Sequence, residues 1–305
     1  MNGPTAAIAK AKGPMVWLDM DQQQLDDAYD QFVYAPNRDQ LAKRRLANSA
    51  AARARLGEPL RLAYGPTPIE ALDVYRPLAS KAAAGGALAP VAIFVHGGAW
   101  RSGTESEFTF LAEPFVRAGA NFAVLDFISV DDAGGSLFPM VEQVRRAVGW
   151  VYRNAEKFGG DRDRLYLISH SSGSHLAGCV VTHDWTREGL PRDILKRATL
   201  SSGMYDLAPV RLSKRSKYVT FTDAMENELS ATSTSSRRRL FSATAPRRRR
   251  NFSGKRATSP PRSRPPANRS SLWSAKSYNH FEMLETLANP YGLLGRAVFK
   301  QMGLA

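Results

Sequence analysis

The chain has 305 residues, 43% of them hydrophobic, with a single cysteine. A chain this long can bury a full globular core, and one cysteine excludes an internal disulfide and fits a reducing compartment. No apolar run approaches the roughly 20 residues of a membrane-spanning helix, and the N-terminus carries no signal-peptide pattern, so a cytoplasmic location is expected. The formal charge of +14 is local: residues 232 to 276 hold eleven Arg and two Lys and no acidic residue, and setting those thirteen aside leaves 29 basic residues against 28 acidic ones. There is no internal repeat and no metal-ligand spacing, so no cofactor is expected.

In chain order, residues 22 to 57 read as two helices, with Leu25, Tyr29, Phe32 and Val33 on one face of the first. They are expected to flank or cap the site of one domain covering residues 1 to 305. Residues 80 to 89, KAAAGGALAP, read as a loop. PVAIFVHGGAW, residues 90 to 100, is a buried strand running into His96-Gly97-Gly98. A helix at 107–118, a strand at 121–127 and a helix at about 137–157 follow. Residues 164 to 178, RLYLISHSSGSHLAG, then read as strand, tight turn and small-residue helix, and a last helix spans about 289–303. This βαβαβ alternation predicts an α/β fold with a mostly parallel central sheet and right-handed crossovers. Asp131-Asp132 with Gly134-Gly135 fall in a loop on the side of the strand ends, and Asp161 and Asp163 after Gly159-Gly160 read as a helix-to-strand turn rather than a cation loop.

Ser171 occupies the serine position of a G-x-S-x-G-like elbow, with Gly173 two residues on and Ser169 where glycine is usual. Such a turn exposes the hydroxyl and sets the next amide at a helix N-terminus, where negative charge is favoured. The His96-Gly97-Gly98 loop is of the kind that offers backbone N–H groups to an oxyanion, because a side chain there would block the approach. Both motifs fall at the C-terminal ends of strands in one sheet, where open α/β folds place their sites. A base is expected late in the chain, and His280 in SYNHFEML lies 109 residues after Ser171. His96, His170, His175 and His183 read as structural or polar-contact histidines.

HGGAW, SHSSGSHLAG and SYNHFE together resemble an α/β-hydrolase of the esterase/lipase type. LDDAYDQFVYAPNRDQL with HGGAWRSG is similar, more narrowly, to the arylformamidase (kynurenine formamidase) branch. The similarity covers roughly residues 20 to 230 and 277 to 305. It implies an enzyme in which Ser171 is the nucleophile and His280 the base, with the amides of Gly97, Gly98 and Ser172 as the oxyanion hole and Trp100 lining a leaving-group pocket. The implied partner is a small-molecule substrate, a formamide or alternatively a short-chain ester. No membrane is involved, nucleic acid enters only if the Arg-rich block is genuine, and a homodimer is left open.

By chain order, residues 232 to 276 should hold a strand, the acid loop, a helix and the last strand, yet their Arg, Ser and Pro show neither helical nor strand periodicity. As written, the chain is therefore expected to lack the edge of its sheet, its catalytic acid and most of its activity. A basic disordered insertion binding nucleic acid on an inactive hydrolase scaffold is one explanation, and a degraded segment is another. The third is a shifted reading frame. Codons built from the last base of each triplet and the first two of the next allow a strand, a Glu spanning Arg247 and Arg248, an amphipathic helix ended by Gly, and a final strand before SYNHF. Sequencing both DNA strands should show a one-base deletion near codon 231 and a one-base insertion near codon 276; an unbroken frame encoding the Arg-rich peptide overturns this.

Overall fold

The computed structural model describes residues 13–77, 87–231, 240–244, 271–274 and 277–304, with residues 240–244 and 271–274 described by backbone alone. A hairpin of β1 (Met15–Trp17) and β2 (Met20–Asp21) leads through α1 (Gln22–Ala28) and α2 (Arg38–Leu56) to β3 (Leu60–Ala63) and β4 (Ala71–Tyr75). Next come β5 (Ala89–Val95), α3 (Ala112–Arg117), β6 (Asn121–Leu125), α4 (Phe138–Asn154), β7 (Gly160–His170), α5 (Ser172–Val181) and β8 (Leu195–Ser201). Then follow α6 (Ala208–Arg211), α7 (Asp223–Leu229), β9 (Leu240–Thr244), β10 (Ser271–Ser274), α8 (Glu282–Leu287) and α9 (Leu293–Met302).

Strands β3 to β10 form one sheet in the order β10-β9-β8-β7-β5-β6-β4-β3. The ladders from β10 to β6 are parallel, and β4 and β3 are added antiparallel. From β5 the chain moves outward to β6 and then returns past β5 to β7, so α3 and α4 cover opposite faces. Alternation along each strand feeds both faces. Val91, Ile93 and Val95 join Met140, Val144 and Val148 of α4, whereas Ala92 and Phe94 join Phe115 of α3 and Phe299 of α9. The reversal falls between β5 and β7, where ligand crevices open at strand C-termini. Their register pairs Val95 with Ser169, which sets the glycine loop beside the turn after β7.

Local chemistry explains where the elements depart from expectation. The helix expected at 107–118 begins as a 3-10 turn, Glu105–Leu111, and becomes α-helical only at Ala112. Pro114 lacks an N–H and is tolerated only in a helix's first turn. In α1, Asp21 caps Gln24 N–H at 2.9 Å while the Gln24 side chain accepts from Asp21 N–H at 3.2 Å, a reciprocal capping box. This helix ends at Ala28, so Leu25 is buried but Phe32 and Val33, in the turn Gln31–Tyr34, are more than half exposed. The single apolar face expected through Val33 is thereby corrected. The helix expected at about 289–303 is α9, starting at Leu293, and a short α8 precedes it, with Pro290 between them. Asp161 and Asp163, expected in a turn, lie in the first part of β7 where its register to β5 shifts, and Asp161 accepts from Arg164 and from the Asp163 N–H.

The missing sheet edge is also corrected. Residues 240–244 pair with β8 and residues 271–274 pair with β9, both parallel. A ladder is made of backbone groups, so an open strand edge can be completed by segments whose surroundings are poor in apolar residues. The rest of the 232–276 block, including Arg247 and Arg248, and most of the loop expected at 80–89 lie outside the described residues. Phe94 is fully buried and meets Phe108 and Phe122 at 5.5 and 6.1 Å between ring centroids. Phe94→Ala should lower unfolding free energy by about 3–5 kcal/mol in urea titration; a change under about 1 kcal/mol would show that this face is not the core.

Candidate active site

Ser171 lies between β7 and α5 with φ 56 and ψ −129, a strained conformation for a residue bearing a side chain, costing on the order of 1–3 kcal/mol. Backbone bonds hold it there: Ser171 N–H donates to the Ser201 carbonyl at 2.8 Å and Ser174 N–H donates to the Ser171 carbonyl at 2.9 Å. Glycine is required at 173, since a Cβ would sit 2.1 Å from the His96 carbonyl oxygen and 2.4 Å from that of Val95. Ser169, in the usual glycine place, is accommodated by polarity. Its hydroxyl lies 2.9 Å from that of Ser174, which in turn donates to the Ser201 carbonyl at 2.8 Å.

The glycine loop meets this turn directly. A Cβ on Gly97 would come within 2.7 Å of Ser171 Cβ, and Gly98 takes φ 131. Trp100 N–H donates to Ser172 Oγ at 3.1 Å, tying the loop to the start of α5. The indole is 2% exposed and belongs to the core cluster against α4 and α5, edge-on to His175. His96 stacks between Phe108 and Phe127 and pairs with the Gly97 carbonyl, while His175 donates to the Leu229 carbonyl at 2.9 Å. His183, at the end of the α5 segment, pairs with Glu188 at 2.8 Å.

His280, in the turn before α8, brings Nε2 to 2.9 Å from Ser171 Oγ. The structure thus brings together Ser171, His280, Gly97, Gly98 and Ser172. Among the described residues no carboxylate pairs with the His280 ring. Burial, with smaller contributions from His170 and Arg215, holds its pKa well below the ordinary histidine value. Three features here carried no clear sequence signal. His170 Nε2–H donates to the His280 carbonyl at 2.9 Å, so the residue before Ser171 fixes the His280 backbone. Asn37 at the start of α2 bonds Glu282 at 3.0 Å and Asn279 at 2.8 Å, and Asn279 N–H donates to Glu282 at 2.8 Å, so the N-terminal segment braces the His280 turn. As part of the same brace, Phe32 stacks on Phe281 at 5.8 Å, next to His280. The third is Arg215, a buried cation above the Trp100 ring.

The geometry is a strained serine turn and a histidine brought together at the strand ends of an open α/β sheet. The BD-FAE family model matches residues 72–202. A kynurenine formamidase from Danio rerio is 38% identical over 147 residues, 48% of this chain and 46% of that protein. One from Salmo salar is 32% identical over 201 residues, 64% of each. The chain therefore spans between about half and two thirds of the curated relatives it matches. A solved protein from Silicibacter sp. TM1040, provisionally assigned as a thioesterase, superposes with a TM-score of 0.67 at 20% identity over 90% of this chain and 98% of that one, sharing the fold. The chain has the α/β-hydrolase fold and is similar in sequence to esterase-type proteins of that fold. Within that class its sequence resembles the arylformamidase branch. Among the described residues no helix is long and apolar enough to cross a membrane.

Burial pushes the pKa values of both His170 and His175 down to about 4. The folded chain therefore excludes protons that the unfolded chain takes up below about pH 6.5. Stability is full above that pH and should fall toward pH 4, by about 1.4 kcal/mol per pH unit for each histidine. Urea denaturation at pH 7, 5.5 and 4.5 checks this, with His170→Asn reducing the slope by about one proton; a flat profile overturns it.

Proposed function

We propose that the chain is a serine hydrolase that removes a small acyl group from arylformamides. The observation that carries this is the 2.9 Å contact between Ser171 Oγ and His280 Nε2, made across 109 residues at a strained elbow. His280 takes the Ser171 proton as Oγ attacks the formyl carbon, and Gly97, Gly98 and Ser172 N–H groups receive the oxyanion. The imidazolium then returns the proton to the arylamine nitrogen as the C–N bond breaks, and water attacks the formyl-enzyme to release formate. Each oxyanion donor is worth about 3 kcal/mol of transition-state stabilisation.

The kynurenine formamidase matches support the formamide as substrate. A loop against which a single Cβ would collide leaves an acyl site suited to a formyl group. Chain order puts the acid that would orient His280 within residues 232–276, which hold no Asp or Glu, so the chain as written is expected to act through Ser171 and His280 with most of its activity lost. The proposal keeps one catalytic unit acting on a small molecule, with Trp100 forming a wall behind the glycine loop.

Ser171→Ala should abolish formate release from N-formylkynurenine, by about 10⁴-fold or more, without altering thermal melting; retained turnover removes Ser171 as nucleophile. Because His280 must be neutral to accept a proton and burial keeps it so, the acid limb of kcat/KM should lie below pH 6.5. Faster turnover of p-nitrophenyl acetate than of the formamide favours a carboxylesterase instead.

A further inference from the structure

The glycine loop takes left-handed backbone at residues on both of its limbs. Gly98 has φ 131, Ala99 58, Trp100 67 and Gly103 106. Ala99 and Trp100 bear side chains, so this shape persists only where the surroundings fix it. The incoming limb is fixed by β5 and by the Trp100 N–H on Ser172. The return limb passes close against it, since a Cβ on Gly103 would lie 2.7 Å from His96 Nδ1 and 2.9 Å from the Gly97 carbonyl oxygen. A shift of the return limb therefore carries Gly97 with it.

That limb ends on a buried carboxylate. Glu105 N–H donates to Asp126 Oδ1 at 2.9 Å, and Arg61 donates to Asp126 Oδ2 at 2.8 Å. The Asp126 backbone is held as well, its N–H donating to the Ala71 carbonyl at 3.0 Å and its carbonyl accepting from the Tyr64 hydroxyl at 2.6 Å. Arg61 also reaches Asp73 at 2.9 Å and Glu105 at 3.4 Å. Burial, with a hydrogen bond to Asp126, holds the Glu105 carboxyl above its ordinary pKa. Two carboxyls bond only when one carries a proton, so Asp126 grips Glu105 at both its N–H and its side chain. His96, at the start of the loop, stacks on Phe127 next to Asp126 at 4.4 Å and on Phe108 of the Glu105–Leu111 turn at 5.3 Å. Among the described residues Asp126 bonds neither Ser171 nor His280, so it acts on them only through the loop.

We propose that Asp126, paired with Arg61, is a positioning residue for the oxyanion amides of Gly97 and Gly98. This rests on the serine-hydrolase assignment above. A charged acceptor holds an N–H about twice as strongly as a neutral one, and a misplacement of about 1 Å at reacting groups costs roughly 10²-fold in rate. Without the Asp126 carboxylate the left-handed residues relax and the amides turn away from the developing oxyanion, while Ser171 and His280 keep their contact.

The test is covalent labelling of the full-length chain by diisopropyl fluorophosphate, which needs no turnover. Ser171 Oγ bonds phosphorus as fluoride leaves, the Oγ proton passes to His280, and the phosphoryl oxygen takes the oxyanion place. Mass spectrometry over time gives the labelling rate constant and the fraction of chains labelled. Asp126→Ala should lower the rate constant by about 10- to 100-fold while the labelled fraction stays at the wild-type level. Asp126→Asn, whose amide oxygen still accepts the Glu105 N–H, should recover part of that loss, and Arg61→Gln should fall between Asn and wild type. Val148→Ala, a core truncation in α4, should lower the urea midpoint and leave the rate constant unchanged. A loss in Asp126→Ala confined to the labelled fraction, or one matched by Val148→Ala, overturns the proposal. If Asp126→Ala does not fold, Asp126→Asn and Arg61→Gln decide, and wild-type rate constants in both overturn it. A wild type that takes up no label at Ser171 defeats the serine-hydrolase assignment and this proposal with it, whereas equal rate constants in wild type and Asp126→Ala defeat the proposal alone.

Discussion

Everything at this site depends on how closely two backbones approach at Gly173. With no side chain there, the carbonyls of Val95 and His96 lie where a Cβ would otherwise be, and the start of α5 rests directly on the end of β5. The same closeness recurs at Gly97 against Ser171. A glycine loop and a strained serine can therefore share one small volume without any side chain between them. The strain at Ser171 persists because the sheet supplies its fixed partners, above all the Ser201 carbonyl at the end of β8.

A second level of order comes from dry polar contacts around that junction. His170 holds the His280 carbonyl from beneath, and Asn37, Asn279 and Glu282 hold the same turn from the N-terminal side. The helices before β3 thus do more than cover the sheet, since one of their ends holds the turn that carries His280. The buried histidines here are neutral, because burial disfavours their charged forms. Arg215 is also buried, with its guanidinium carbon 5.6 Å from the centre of the Trp100 ring.

Much of this was legible along the chain because short-range chemistry wrote it there. Continuous apolar runs marked β5, β6 and β7, and Gly97, Gly98 and Gly173 marked close backbone approaches. Chain order pointed to His280, and the structure puts it within hydrogen-bond distance of Ser171. Other elements had weaker marks. The N-terminal helix ends before Phe32 although the apolar pattern continues, because helical periodicity does not show where a turn will tighten. Strands β9 and β10 were hidden in a block rich in Arg and Pro, because they are defined by backbone pairing with a neighbour that sequence does not name.

The sequence by itself determined the class of fold, the elbow, the glycine loop and the late histidine, since each is set by residue type and local order. Only the tertiary structure decided that Asn37 braces the His280 turn, that His170 carries its carbonyl, and that Arg215 lies buried over Trp100. Those relations join residues up to 245 positions apart. An arginine or asparagine reads the same along the chain whether it is solvated or buried, and its role depends on which neighbours folding brings to it.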